Sequence, residues 1–113
     1  MCSSDLYSNT LRSALVGWTK SLSNEVAADG VTVNMLLPGR IHTTRVDELD
    51  AANAKRTDKP IDTIRENARL AIPAQRYGAV EEFASVAAFL VSTRAAYVTG
   101  SLIRCDGGAI KSV

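Results

Sequence analysis

An α/β fold with parallel strands is the fold class that the sequence predicts, and three observations predict it. Apolar residues recur at helical spacing from Leu11 to Val26 and again from Val80 to Val91. Two short apolar, β-branched runs, Val31 to Leu37 and Ser101 to Cys105, are stopped by Pro38-Gly39 and by Asp106-Gly107-Gly108. The order is therefore helix, strand, polar excursion, helix, strand, an alternation that argues for parallel strands joined by crossovers.

The first helix carries Leu11, Leu15, Trp18, Leu22 and Val26 on one stripe, with Arg12, Lys20, Asn24 and Glu25 between them. Core packing is the expectation for Trp18, and solvent exposure for Lys20. Asp29-Gly30 closes the helix, the glycine suiting a left-handed cap. The run Val31-Thr-Val-Asn-Met-Leu-Leu37 then reads as a buried strand. From Thr43 to Leu70 charge dominates and Pro60 interrupts, which predicts short helices in a mobile excursion. A lid over a substrate cleft and a solvated surface segment are the two readings of residues 43–70. The second helix, from about Val80 to Ser92, buries Val80, Phe83, Ala84, Ala87, Leu90 and Val91, and Tyr97-Val-Thr-Gly100 turns into the last strand. Two strands make no stable parallel sheet by themselves, so a larger sheet is expected.

With 113 residues, 46% hydrophobic and 22% charged, the chain has the size and composition of one small globular domain. A formal net charge of +1 offers no electrostatic reason to expect nucleic acid or an acidic membrane surface as partner. No apolar run reaches the ~20 residues of a membrane-spanning helix. Cys2 and Cys105 stand at opposite ends with no metal-ligand spacing, which points to a reduced, cytoplasmic setting. Met1 to Leu6 resemble the translation of a sequencing-adapter oligonucleotide and are expected to be non-native; an ordinary polar tail is the alternative.

Three stretches together resemble the second half of short-chain dehydrogenases/reductases. They are Ala14 to Val26 running into Gly30-Val-Thr-Val-Asn34 and Pro38-Gly39; Ile72-Pro-Ala-Gln-Arg-Tyr-Gly78 with Glu81-Glu82; and Tyr97-Val-Thr-Gly100 with Asp106-Gly-Gly108. The wording is most similar to 3-oxoacyl-[acyl-carrier-protein] reductase-like members. The resemblance covers about Ser8 to Ala109 and implies the C-terminal part of a doubly wound, parallel-sheet Rossmann fold. It also implies NAD or NADP docked at the carboxyl ends of the strands, in an oxidoreductase acting on an alcohol/carbonyl pair. No glycine-rich pyrophosphate turn occurs, so the adenine and pyrophosphate sites are expected to lie outside this chain, which alone is expected to be inactive.

The family signature is Tyr-x-x-x-Lys, whose spacing puts a cation one turn from the phenol. The cation lowers a pKa that is otherwise near ~10. Counting back without gaps from Gly17, Glu25, Asn34 and Pro38 places Ser8 at the tyrosine position and Arg12 at the lysine position, with Tyr7 one residue early. Three readings follow. Ser8 and Arg12 occupy the catalytic places; or the helix start shifts and brings Tyr7 to the cleft; or the chemistry has been altered or lost. The bland account of Tyr7 is a partly buried aromatic at a helix start. Arg12 is also expected to bind the cofactor ribose. In the run Pro38-Gly39-Arg40-Ile41-His42-Thr43, the resemblance implies nicotinamide contacts from Pro38, Gly39, the backbone near Ile41 and the Thr43 hydroxyl. His42 is expected to bond locally, and Asp106 to form a turn. A homo-oligomer, dimer or tetramer, is the expected assembly when complete. A non-catalytic oligomerisation module is the alternative reading.

Overall fold

The computed structural model describes residues 3–112, and the side chains from Leu6 onward. Six elements follow in order: α1 (Ser3–Val26), β1 (Met35–Pro38), α2 (Thr44–Thr57), α3 (Ile61–Ala71), α4 (Val80–Leu90) and β2 (Leu102–Cys105). The predicted order of helix, strand, polar excursion, helix and strand is the order found, with the excursion folded as α2 and α3. Met35 N–H donates to Ser101 O, and Gly39 N–H donates to Cys105 O, each at 2.9 Å. The register offset is the same at both ends, so β1 and β2 pair in parallel in a two-stranded sheet.

The chain divides into two compact units, residues 1–36 with 88–103 and residues 37–87 with 104–113. In the first, α1 runs into a single 3₁₀ turn, Ala27–Asp29, ended by Gly30 at φ 75°. Thr19 and Ser23 are buried on α1, Ser23 Oγ donating to the Lys20 carbonyl at 2.7 Å, and Ala95 is buried opposite in sequence. The segment before β1 is held by side chains as well as backbone. Thr99 Oγ1 accepts from Val33 N–H, and Gly100 N–H donates to Val33 O at 2.7 Å. Asn34 Nδ2 donates to Val98 O at 2.8 Å while its Oδ1 accepts from Ser101 N–H at 3.1 Å. Asn34 thus does for two backbone groups what a neighbouring strand would otherwise do.

Several expectations are corrected here. Trp18 is 60% exposed, and Leu11 and Leu15 are exposed with it. The face that α1 buries carries Thr19 and Ser23, with Gly100 set close against Ser23 and Lys20, and Trp18 lies off that face. The first strand is four residues rather than seven and is half-buried, because residues 31–34 bond through side chains and turns. On α4, Phe83, Ala87 and Leu90 are half-buried as expected, but Val80 and Ala84 are exposed, as is Val91 just beyond it.

In the second unit the charged excursion folds as two regular helices of 14 and 11 residues that pack on each other. Asp58 takes a left-handed conformation, φ 51°, as the α2 cap, and Pro60 starts α3 where its missing N–H costs no helical bond. The segment from Ile72 to Gly78 then crosses beside β2: Gln75 N–H donates to Ile72 O, and Ala74 N–H donates to Gly107 O at 3.1 Å. Asp106 forms the expected turn, Oδ1 accepting from Gly108 N–H and Oδ2 from Ile110 N–H. Those donors, Ile110 first, hold its carboxyl below the ordinary value.

Three substitutions check this account by urea denaturation. Gly17 sits in α1 with open space around an added Cβ, so Gly17→Ala should stabilise by about 0.5–1 kcal/mol. Gly100 has φ +67°, and a Cβ there would meet Ser23 Oγ at 2.7 Å, so Gly100→Ala should destabilise by about 1–3 kcal/mol. Asn34→Ala strips partners from Val98 O and Ser101 N–H and should cost about 1–3 kcal/mol.

Candidate functional site

The run from Pro38 to Thr43 leaves the carboxyl end of β1 and is clamped on one side by backbone. Gly78 N–H donates to Arg40 O, and His42 N–H donates to Gly78 O, both at 2.8 Å, making a parallel bridge between Ile41 and Gly78. In this pattern the N–H and C=O of Ile41 itself point away from Gly78. Among the described residues no backbone hydrogen bond uses either group. Thr43 caps α2, its Oγ1 accepting from Val46 N–H at 3.4 Å, which leaves the hydroxyl proton available to another acceptor.

On this loop an open concavity of about 340 Å³ is lined mainly by apolar groups, among them Pro38, Ile41, Thr43, Val46, Val80 and Phe83. The glycines nearby are explained by close approach of protein to protein. A Cβ at Gly39 would stand 2.5 Å from Asp106 Cα, and one at Gly78 would stand 2.8 Å from Ile41 Cδ1. Gly39 thus lies against the Asp106 backbone and also lines the concavity.

Beneath the loop lies a polar cluster that the sequence did not reveal. Asp50, on α2, is wholly buried. Its Oδ1 accepts from Arg40 Nη1 at 3.0 Å and its Oδ2 accepts from the Tyr77 hydroxyl at 2.9 Å, with Arg65 Nε of α3 at 3.8 Å. One turn earlier, Asp47 Oδ1 meets His42 Nε2 at 3.2 Å and Arg65 Nη2 at 3.1 Å. The Arg40 guanidinium lies 5.7 Å from the Tyr77 ring centroid, and the His42 ring meets Tyr77 edge-on at 6.4 Å. Burial first, then the Asp50 hydrogen bond and charge, push the Tyr77 phenol above its ordinary pKa. His42 bonds locally, as expected. The only sequence signal for the cluster was the i,i+3 spacing of Asp47 and Asp50, which puts both carboxylates on one helix face.

The predicted site residues fall into two groups. Pro38, Gly39, Ile41 and Thr43 come together at the concavity of the second unit. Tyr7, Ser8 and Arg12 belong to the first unit, on the opening turns of α1, where Tyr7 and Arg12 are exposed and Ser8 is half-exposed. Ser8 and Arg12 share a helix face, whereas Tyr7 is turned ~100° from Ser8. Among the described residues no group of three metal-ligating side chains assembles, and no helix is long and apolar enough to cross a membrane.

Comparison with known proteins bears on family and fold. The sequence profile of a family described as enoyl-(acyl carrier protein) reductase matches residues 4–109. The 3-oxoacyl-[acyl-carrier-protein] reductase FabG of Rickettsia felis is 40% identical over 99 residues, covering 88% of this chain and 36% of the relative. YwfH, an NADPH-dependent reductase involved in bacilysin biosynthesis, superposes with a TM-score of 0.85 at 36% identity, over 92% of this chain and 39% of that one. A short-chain dehydrogenase family protein from Francisella tularensis superposes with a TM-score of 0.83 at 28% identity, over 88% of this chain and 41% of that one. The chain thus spans about two fifths of the length of the proteins it matches. With the profile match running through nearly the whole chain, this protein belongs to the short-chain dehydrogenase/reductase family, and its fold is part of that family's parallel-sheet Rossmann fold.

Proposed function

We propose that the chain supplies the nicotinamide-facing part of an NAD(P)-dependent oxidoreductase interconverting an alcohol and a carbonyl, with a 3-oxoacyl reductase-like substrate. The observation that carries this reading is the Pro38–Thr43 loop: two unpaired peptide groups at Ile41 beside an apolar concavity at a strand's carboxyl end. A carboxamide both donates and accepts, so the N–H and C=O of Ile41 and the Thr43 hydroxyl fit it in kind. Pro38, Gly39 and the apolar side chains give the flat ring a dry seat. The nicotinamide, when bound, carries the two electrons exchanged with the substrate carbon. Relatives described as NADPH-dependent reductases support this cofactor class.

Proton transfer falls to the start of α1. Ser8 stands at the tyrosine position and Arg12 at the lysine position, one turn apart, with Tyr7 as the adjacent phenol. A guanidinium can hold ribose hydroxyls and stabilise a developing negative charge, but it is a planar fork and not a point charge. A serine hydroxyl is a weaker acid than a phenol, so proton transfer here is slower than with the family's usual pair. Residues 43–70 form the substrate lid, and 7–113 belong to the family's C-terminal part. The substrate is a small molecule, the setting cytoplasmic, and the complete enzyme a homo-oligomer. A second reading, a non-catalytic association module, is favoured by the exposed Tyr7, Leu11, Leu15 and Trp18 along α1.

Two measurements on the purified 113-residue chain test these statements. Titration with NADH and NADPH should give dissociation constants of about 0.1 mM or weaker, and no turnover of a carbonyl substrate. Tight binding or turnover would overturn the statement that the chain alone is inactive. Nicotinamide mononucleotide at millimolar concentration should shift the amide resonances of Ile41 and Thr43 and leave Lys59, at the α2–α3 turn, unmoved. Silence at Ile41 and Thr43 would remove the nicotinamide reading, and assembly on gel filtration without any such shift would favour the association module.

A further inference from the structure

A wholly buried carboxylate on a lid helix is not required by lid or cofactor chemistry, so its role needs a separate account. Every partner of Asp50 comes from a different piece of the same unit: Arg40 from the nicotinamide-facing loop, Tyr77 from the segment before α4, and Arg65 from α3. Asp47, on the same face of α2, adds His42 of the loop and shares Arg65. The loop is therefore tied to α2 through two side chains, Arg40 and His42, that flank Ile41.

We infer that Asp50 is a positioning residue: by holding Arg40 it keeps the Ile41 peptide groups aimed at the concavity, and it couples that loop to the lid helices α2 and α3. The inference rests on the nicotinamide reading for its meaning, but its physical content does not need a bound nucleotide. Apolar residues of similar volume could fill the same space at equal or better stability. A buried ionic cluster in their place specifies geometry, since Arg40 accepts few orientations against a carboxylate that also receives the Tyr77 hydroxyl. The loop's own hydrogen bonds depend on this register. Arg40 O and His42 N–H meet Gly78 from either side of Ile41, so a shift of the Arg40 backbone, once its side chain is no longer anchored at Asp50, would disturb the bridge.

Amide hydrogen exchange on the 113-residue chain, without nucleotide, tests the coupling. In Arg40→Met and in Asp50→Asn, the Gly78 and His42 amides should exchange about tenfold faster than in the wild type. The Met35 and Gly100 amides, bonded within the other unit, should keep their rates. The double variant should be no faster than the faster single one, because both changes cut one connection. Unchanged Gly78 and His42 rates in Arg40→Met would overturn the inference, as would an equal rise at Met35 and Gly100, which marks general loosening. Arg40 is partly exposed and its replacement leaves Arg65 and Tyr77 beside Asp50, so Arg40→Met gives a second variant should Asp50→Asn fail to fold.

Tyr77 supplies an independent signature. Asp50, Arg40 and Arg65 face its hydroxyl and His42 faces its ring; burial and Asp50 raise the phenol's pKa while the two arginines lower it. A raised phenol favours the folded state fully below the unfolded value of about 10, and that stability is lost as pH rises through the folded value. Asp50→Asn should bring the Tyr77 absorbance transition to lower pH, with Tyr77→Phe identifying which transition is its own; an unmoved transition would show that Asp50 is not engaged with Tyr77 in solution. Failure of these tests leaves the nicotinamide reading standing, because that reading is decided by shifts at Ile41 and Thr43 in the unaltered chain.

Discussion

Removal of the Asp50 carboxylate from water is the constraint on which the second unit depends. A buried ionised carboxylate is tolerable only when both oxygens are met by donors and a cation stands nearby. Arg40, Tyr77 and Arg65 fulfil that requirement, and no buried side-chain N or O is left without a partner among the described residues. Deleting one partner of such a group typically costs about 3–5 kcal/mol, far more than an exposed ion pair returns. The exposed pairs around it, such as Arg69 with Glu66 and Arg45 with Glu48, lie within single helices and set nothing beyond them.

Backbone proximity is the second organising feature, and it explains why glycines stand at the strand exits. The loop after β1 and the turn after β2 lie so close that a Cβ at Gly39 would strike Asp106, and Gly107, at φ 63°, lies against Ile72 and Ala74. Chain approaches of this kind bring the Ile72–Gly78 segment under the loop, where Gly78 completes the bridge to Ile41. Tyr77, next in sequence to Gly78, then reaches Asp50. One tight strand exit thus determines where the buried cluster receives its hydroxyl.

The order of elements was legible because it rests on local signals: helical spacing, β-branched runs, and Pro-Gly or Gly-Gly stops. His42 and Asp106 were legible for the same reason, since each bonds within five residues of itself. Asp50 was not. In a segment where Arg45, Asp47, Glu48, Lys55 and Arg56 surround it, one more acidic residue reads as solvated, and its burial arises only once residues 10, 15 and 27 positions away converge on it. Trp18 failed in the opposite sense. Its place in an apolar stripe is a local fact, but which face of α1 is buried is decided by Gly100, whose close approach selects Ser23. Thr43 shows the middle case: its position after the strand was readable, yet its service as the cap of α2 required knowing that a helix begins there.

The two halves of the proposed chemistry place unequal demands on side-chain identity, and this bears on the departures at Ser8 and Arg12. Contacts to a carboxamide from Ile41 come from peptide groups, which survive almost any substitution that preserves the bridge to Gly78. A proton relay, by contrast, needs a particular group with a particular pKa, and serine in place of tyrosine changes both. A lineage can therefore retain the loop, the concavity and the buried cluster while its proton relay drifts. In the proposed chemistry, proton transfer rests on the first turns of α1, where an arginine fork one turn from a serine can order hydroxyls and stabilise an anion, and where the neighbouring phenol, Tyr7, is turned ~100° from Ser8.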